Sequence, residues 1–161
     1  MRPAPRRAIL RVGGRMIIRA MAIADYERAY GLWSATEGVG LRERDDSRGG
    51  IAKYLSRNPA TCFVAEDRGE IVGTILCGHD GRRGFIYHMA VAEKERAKGI
   101  GAKLLNRAAA ALKGEGVTKI ALVVKGYNES GNRFWENRGY AARGDLVYRD
   151  IALTELKRTD T

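Results

Sequence analysis

Apolar and polar positions along the 161-residue chain divide it into short periodic runs. Residues 16–21, "MIIRAM", form an apolar run of strand length. Over 25–36 the spacing changes: Tyr26, Ala29, Tyr30 and Trp33 fall on one helical face, with Asp25 near its positive end. The stretch 37–50, "EGVGLRERDDSRGG", is charged and glycine-bearing and predicts a loop. Residues 51–58 read as a short helix started from Ser47, with Pro59 just beyond its end. Three strand patterns follow at 61–67, 70–80 and 85–91, joined by "RG" and "GRRG" hairpin signals. A helix is predicted over 97–113 from Ile100, Leu104, Leu105, Ala108 and Leu112. Residues 117–124 make a wholly apolar strand of the parallel type. A short helix at 128–138 precedes Gly139, and the alternation over 140–153 predicts a closing hairpin.

This order places one strand–helix–strand crossover, 85–124, inside an otherwise antiparallel series. A crossover requires parallel pairing of its two strands. The predicted fold is an α/β (α+β) mixed sheet with helices on both faces.

Composition narrows the class. No apolar run approaches the ~20 residues of a membrane span. Cys62 and Cys77 lie in apolar strand runs without metal-ligand spacing. They read as buried thiols in a reducing, cytoplasmic setting, a disulfide being the alternative. The net charge is +10, but residues 1–15 hold five arginines and no acid, and removing them leaves +5. Met16 then opens the first strand run, so 1–15 reads as a disordered basic extension or the product of an upstream start. A nucleic-acid arm and a transit peptide are the other readings of that segment. The expected organisation is one domain over 16–155, with a polar tail at 156–161.

The chemistry concentrates at 90–105, "AVAEKERAKGIGAKLL". The first N–H groups of a helix lack internal partners, and the helix dipole makes that end positive. Such an end suits a phosphate. Gly99 and Gly101 remove side chains that would hold the anion off, while Arg96 and Lys98 add charge. "RAKGIG" therefore predicts a pyrophosphate cradle, the alternative being a tight turn under a solvated basic face. A Walker loop is excluded, because Ala102–Lys103 follow Gly101. A dinucleotide fingerprint lacks its third glycine here.

"VAEKERAKGIGAKLL" resembles the acetyl-CoA motif of the GNAT N-acetyltransferase superfamily, with Arg96, Gly99 and Gly101 at the matching positions. "NESGNRFWENRGY" resembles a later helix of that family through Asn128, Gly131, Gly139 and Tyr140. The element order over 16–153 also agrees, implying a GNAT-like fold with a six- to seven-stranded sheet. The resemblance implies acetyl-CoA as cosubstrate, no metal, and an amine acceptor on a small molecule or protein. It implies direct attack of a primary amine on the thioester in a ternary complex. The strands at 85–91 and 117–124 are expected to splay, with backbone groups of Met89 and Val91 lining the pantetheine arm. The amides of Arg96, Ala97, Lys98, Gly99, Ile100 and Gly101 would hold the diphosphate, with Asn128 near the pantetheine end. The Met89 N–H would receive the developing oxyanion.

A tyrosine on the last helix often assists the departing sulfur in this family; Trp135 stands there instead. Tyr127 and Tyr148 are substitutes, each equally readable as a half-buried aromatic. No carboxylate lies in "FIYHMAV". Tyr87 and His88 are expected to point to opposite sides of the sheet, so one of the two is a candidate to face the acceptor. Imidazole ordinarily titrates near neutrality, which makes His88 a candidate base or else a packed strand histidine. Water leading to Glu37, Glu43, Asp45 or Asp46 is an equal possibility. A homodimer is compatible with the resemblance. A non-catalytic acyl-CoA-binding module and, from charge alone, a nucleic-acid binder are the competing classes.

Overall fold

The computed structural model describes residues 10–12 and 16–159. Among the described residues six strands form one sheet in the order β1-β2-β3-β4-β5-β6. They are β1 (Leu10–Val12), β2 (Met16–Ala20), β3 (Phe63–Asp67), β4 (Glu70–His79), β5 (Gly84–Val91) and β6 (Ile120–Ala121). Neighbours from β1 to β5 pair antiparallel, and β5 pairs parallel with β6. The helices are α1 (Tyr26–Ser34), α2 (Arg48–Arg57), α3 (Ile100–Gly114) and α4 (Glu129–Glu136).

The period-2 alternation of β3 and β4 divides the apolar side chains between two layers. Cys62, Val64 and Leu76 pack with Trp33, Ile51 and Leu55 beneath α1 and α2. Phe63, Ala65, Ile75 and Cys77 pack with Ile100, Leu104, Leu105, Ala108 and Leu112 of α3 on the other side. The mixed sheet, the helices on both faces and the α3 stripe thus stand as the sequence indicates. Both cysteines are free and buried. Burial pushes the Cys62 thiol up to about 11 and the Cys77 thiol up to about 12, so neither is a ready nucleophile.

Several elements differ from the sequence reading, among them α3, which starts at Ile100 rather than 97 because Gly99, at φ +78°, is its N-cap. Leu10–Val12, inside the segment read as an extension, forms β1 against Met16–Ile18; residues 1–9 and 13–15 lie outside the described residues. α2 starts at Arg48 rather than 51, because the Ser47 hydroxyl accepts the Gly50 N–H at 3.0 Å and caps the helix earlier. The strand predicted at 117–124 shrinks to Ile120–Ala121, since pairing ends at Phe85↔Ala121. The hairpin predicted over 140–153 is absent. The edge it would need ends with β6, and Leu146 and Ile151 are 61% and 84% exposed. The C-terminal segment instead returns to the α1–α2 loop, where Glu43 N–H donates to Lys157 O at 2.9 Å. Residues 160–161 of the predicted tail lie outside the described residues.

Candidate active site

The parting of β5 and β6 creates the site. β5 pairs with β6 only at Gly84 and Phe85, and then runs on to Val91 beside Leu122–Val124, which belong to no strand. Parallel strands that separate leave an edge of backbone donors and acceptors along a cleft. Met89 and Val91 both lie on that stretch of β5.

At its far end the chain makes a 3-10 turn, Glu93–Glu95, then enters α3 through two left-handed residues, Ala97 at φ +62° and Gly99 at φ +78°. Gly99 is the N-cap of α3 and uses no side-chain cap. The leading amides of α3 are therefore left to an outside acceptor. A Cβ built on Gly99 would meet no atom within 4 Å, so the space over this turn is open. Gly101 serves differently from the sequence reading. A Cβ there would lie 3.2 Å from Met89 Cε and 3.4 Å from Phe134 Cε2. Its missing side chain lets β5 and α4 close on the first turn of α3. The Arg96 side chain donates from Nε to Val91 O at 3.2 Å, and Lys98 pairs with Glu95 at 2.9 Å. Asn128 caps α4 by accepting the Gly131 N–H at 3.0 Å, and its Nδ2 lies close to Gly38 of the α1–α2 loop.

A β-bulge occupies the middle of β5. Thr74 pairs with Ala90 and Leu76 with Tyr87, so His88 and Met89 together face one residue of β4. His88 takes φ +43°. The kink corrects the expectation that Tyr87 and His88 point to opposite sides. Tyr87 meets Tyr54 of α2 at 6.0 Å, and His88 stacks 4.8 Å from Trp33 of α1, so both face the α1–α2 layer. Met89 turns toward α3.

The bulge is held by a relay. Trp33 Nε1–H donates to Thr74 Oγ1, which donates to His88 O, each at 2.8 Å. The His88 ring, its side chain 12% exposed, bonds through Nε2 to Asp46 Oδ1. Asp46 is buried and accepts the Arg42 N–H on Oδ2 at 2.6 Å, while Tyr26 donates its hydroxyl to Asp46 O at 2.8 Å. In the tautomer that donates Nε2–H to this carboxylate, Nδ1 is the acceptor nitrogen. Of the four loop acids named from sequence, Asp46 meets His88. Burial, with smaller contributions from Tyr148 and Asp45, pushes the Tyr87 phenol up. Trp33 and Thr74 were not singled out from sequence; an indole and a hydroxyl on apolar faces look like ordinary core.

The other candidates lie apart from this relay. Tyr127 is 77% exposed, with Lys125 Nζ 5.7 Å from its ring centroid. Trp135 packs edge-on against Phe134 and Tyr140, both at 5.1 Å. Tyr148 is exposed. Among the described residues no group of three His, Cys, Asp or Glu gathers to hold a metal, and no helix is long and apolar enough to cross a membrane.

Comparison with known proteins converges. The profile of the Acetyltransferase (GNAT) family matches residues 22–140. An acetyltransferase of Sodalis glossinidius (strain morsitans) is 34% identical over 140 residues, 87% of this chain and 97% of that protein. Among solved structures, Ard1 from Thermoplasma volcanium aligns with a TM-score of 0.69 at 21% identity, over 78% of this chain and 82% of that one. The PaiA N-acetyltransferase of Thermoplasma acidophilum, solved with coenzyme A, gives 0.67 at 19% identity, over 76% and 87%. At such identities the structural matches speak for the fold; the family match spans most of the chain. The chain belongs to the GNAT family and is an acetyl-CoA-dependent acetyltransferase.

Proposed function

We propose that the protein is an N-acetyltransferase that moves the acetyl group of acetyl-CoA onto a primary amine by direct attack within a ternary complex. The observation that carries the reading is the unpaired edge of β5 from Ile86 to Val91, which leads into the left-handed turn at Ala97 and Gly99. Amides of residues 97–101 bind the diphosphate, helped by the dipole of α3, while the Arg96 N–H is already given to Glu93 O at 3.2 Å. Backbone groups of Met89 and Val91 align the pantetheine arm, and Asn128 borders its inner end. The thioester carbonyl then lies by the bulge, where the Met89 N–H supports the developing oxyanion.

The incoming amine must lose a proton, since an ordinary alkylammonium has a pKa of about 10. His88 accepts that proton on Nδ1, and Asp46 holds the ring and stabilises the imidazolium. The amine nitrogen bonds to the carbonyl carbon and sheds its second proton to solvent, the carbon–sulfur bond breaks, and the electron pair leaves with sulfur. A thiolate with a conjugate-acid pKa of about 8.5 departs without a dedicated donor. This suits a site in which Trp135 is engaged in packing and Tyr127 in solvent. Tyr87 remains a neutral phenol at working pH and lines the acceptor side as a hydrogen-bond donor.

The experiment is thiol release from acetyl-CoA with a panel of amines, paired with mass spectrometry of the acceptor. One acetyl group per thiol, on nitrogen, is the expected result. Thiol release without acceptor acetylation, or none with any amine, overturns the reading.

A further inference from the structure

A second cavity, of about 580 Å³, opens between the C-terminal end of α2, the β4–β5 hairpin and the start of β6. Of its lining, the transfer chemistry above uses Tyr87 alone. Its wall is aromatic: Phe85 and Tyr87 stand 4.8 Å apart on β5, and Tyr54 meets Tyr87 edge-on. Its outer end is cationic, with Arg57, Arg83 and Lys119 against one carboxylate, Asp80. That carboxylate is already bonded to the amides of Arg82 and Arg83, both at 2.7 Å. Tyr54 lines the cavity, while its hydroxyl is turned in against Gly78 of β4, where a Cβ would lie 2.6 Å from it.

Position links the cavity to the reaction. The bulge turns Tyr87 and His88 to the same face, and the cavity reaches Tyr87, the residue next in sequence to the proposed base. From Tyr87 back to Gly84 the strand covers ~10 Å. We propose, resting on the N-acetyltransferase reading, that this cavity selects the acceptor: an amine with an apolar or aromatic body and an anionic group, a carboxylate above all, ~10 Å from the reacting nitrogen. The amine sits at His88, the body lies along Phe85 and Tyr87, and the anion meets Arg57, Arg83 and Lys119. The arginine forks match a carboxylate in geometry as well as in charge.

The test compares ω-aminooctanoate with its amide, ω-aminooctanamide, as acceptors and as ligands. In the wild type the carboxylate has a kcat/KM about tenfold or more above the amide, as expected for charge-assisted contacts. It also binds more tightly by calorimetry in the presence of CoA. In the Arg57→Gln, Arg83→Gln double variant that preference disappears. Arg83→Glu shifts preference toward octane-diamine, a gain that misfolding cannot imitate. Equal binding and turnover of carboxylate and amide, or a preference that survives both variants, overturns the anion site. Absence of thiol release with every amine overturns the transferase reading instead, and the calorimetric contrast still decides the anion site.

Discussion

Each active-site side chain has a distinct burden. His88 touches the reacting nitrogen's proton in the proposed mechanism; Asp46 acts through His88 and is a positioning residue. His88→Gln should lower kcat by about 10²- to 10⁴-fold, the usual contribution of a placed acid or base. Asp46→Asn should lower kcat while leaving KM for acetyl-CoA in place, a split that steady-state kinetics reads directly. If both parameters move together, the loop has merely been disordered. Gly99→Glu places a side chain at φ +78° and a negative charge where the diphosphate belongs. The strain costs about 1–2 kcal/mol, while open space around the position lets the fold survive. Stabilisation of the variant by CoA in a thermal melt should vanish. Glycine at 99 was legible from its place before an amphipathic helix. His88 was legible only as one of two candidates, because a bulge is a property of two strands' register and leaves no periodicity in one of them.

At the scale of elements, the α1–α2 loop owes its shape to the start of α2. The Ser47 cap bends the chain so that a Cβ at Gly50 would lie 2.2 Å from Asp45 O. Gly50→Ala must displace the backbone that carries Asp45 and Asp46. It should therefore reduce activity as well as stability, and a melt alongside kinetics separates the two losses. Ser47→Ala, which removes only the cap, should cost about 1 kcal/mol of stability. The sequence reading found Ser47 as a helix start yet left 48–50 in the loop, since glycine pairs argue against helix in any local scale. β6 was overextended for the opposite reason: residues 117–124 are apolar throughout, and hydropathy does not reveal where a pairing partner ends.

Across the molecule, the sheet and α1 are joined by a buried carboxylate. Asp25 accepts from Arg19 at 2.8 Å and from Arg28 at 2.7 Å, and Glu66 of β3 completes the cluster. Burial pushes the Asp25 carboxyl up, but the Arg19 guanidinium and the Ala22 N–H outweigh it and hold it below its ordinary value. Its folded value is depressed, so its contribution is complete above the ordinary carboxylate range and fades as pH falls through the folded value. Urea midpoints should decline below about pH 4, and Asp25→Asn should flatten that decline while costing about 3 kcal/mol at neutral pH. The mixed sheet and its crossover were readable because runs of period two and 3.6 alternate in an order few topologies satisfy. The C-terminal course was not. The alternation over 140–153 suits a strand, but pairing depends on an edge that β6 ends too early to provide.

The account rests on where the diphosphate lies. A crystal structure of the chain grown with CoA should show diphosphate density against the amides of residues 97–101. The pantetheine arm should run along Met89–Val91 in the parting of β5 and β6. Coenzyme density elsewhere on the molecule, with that cleft holding solvent, would contradict it.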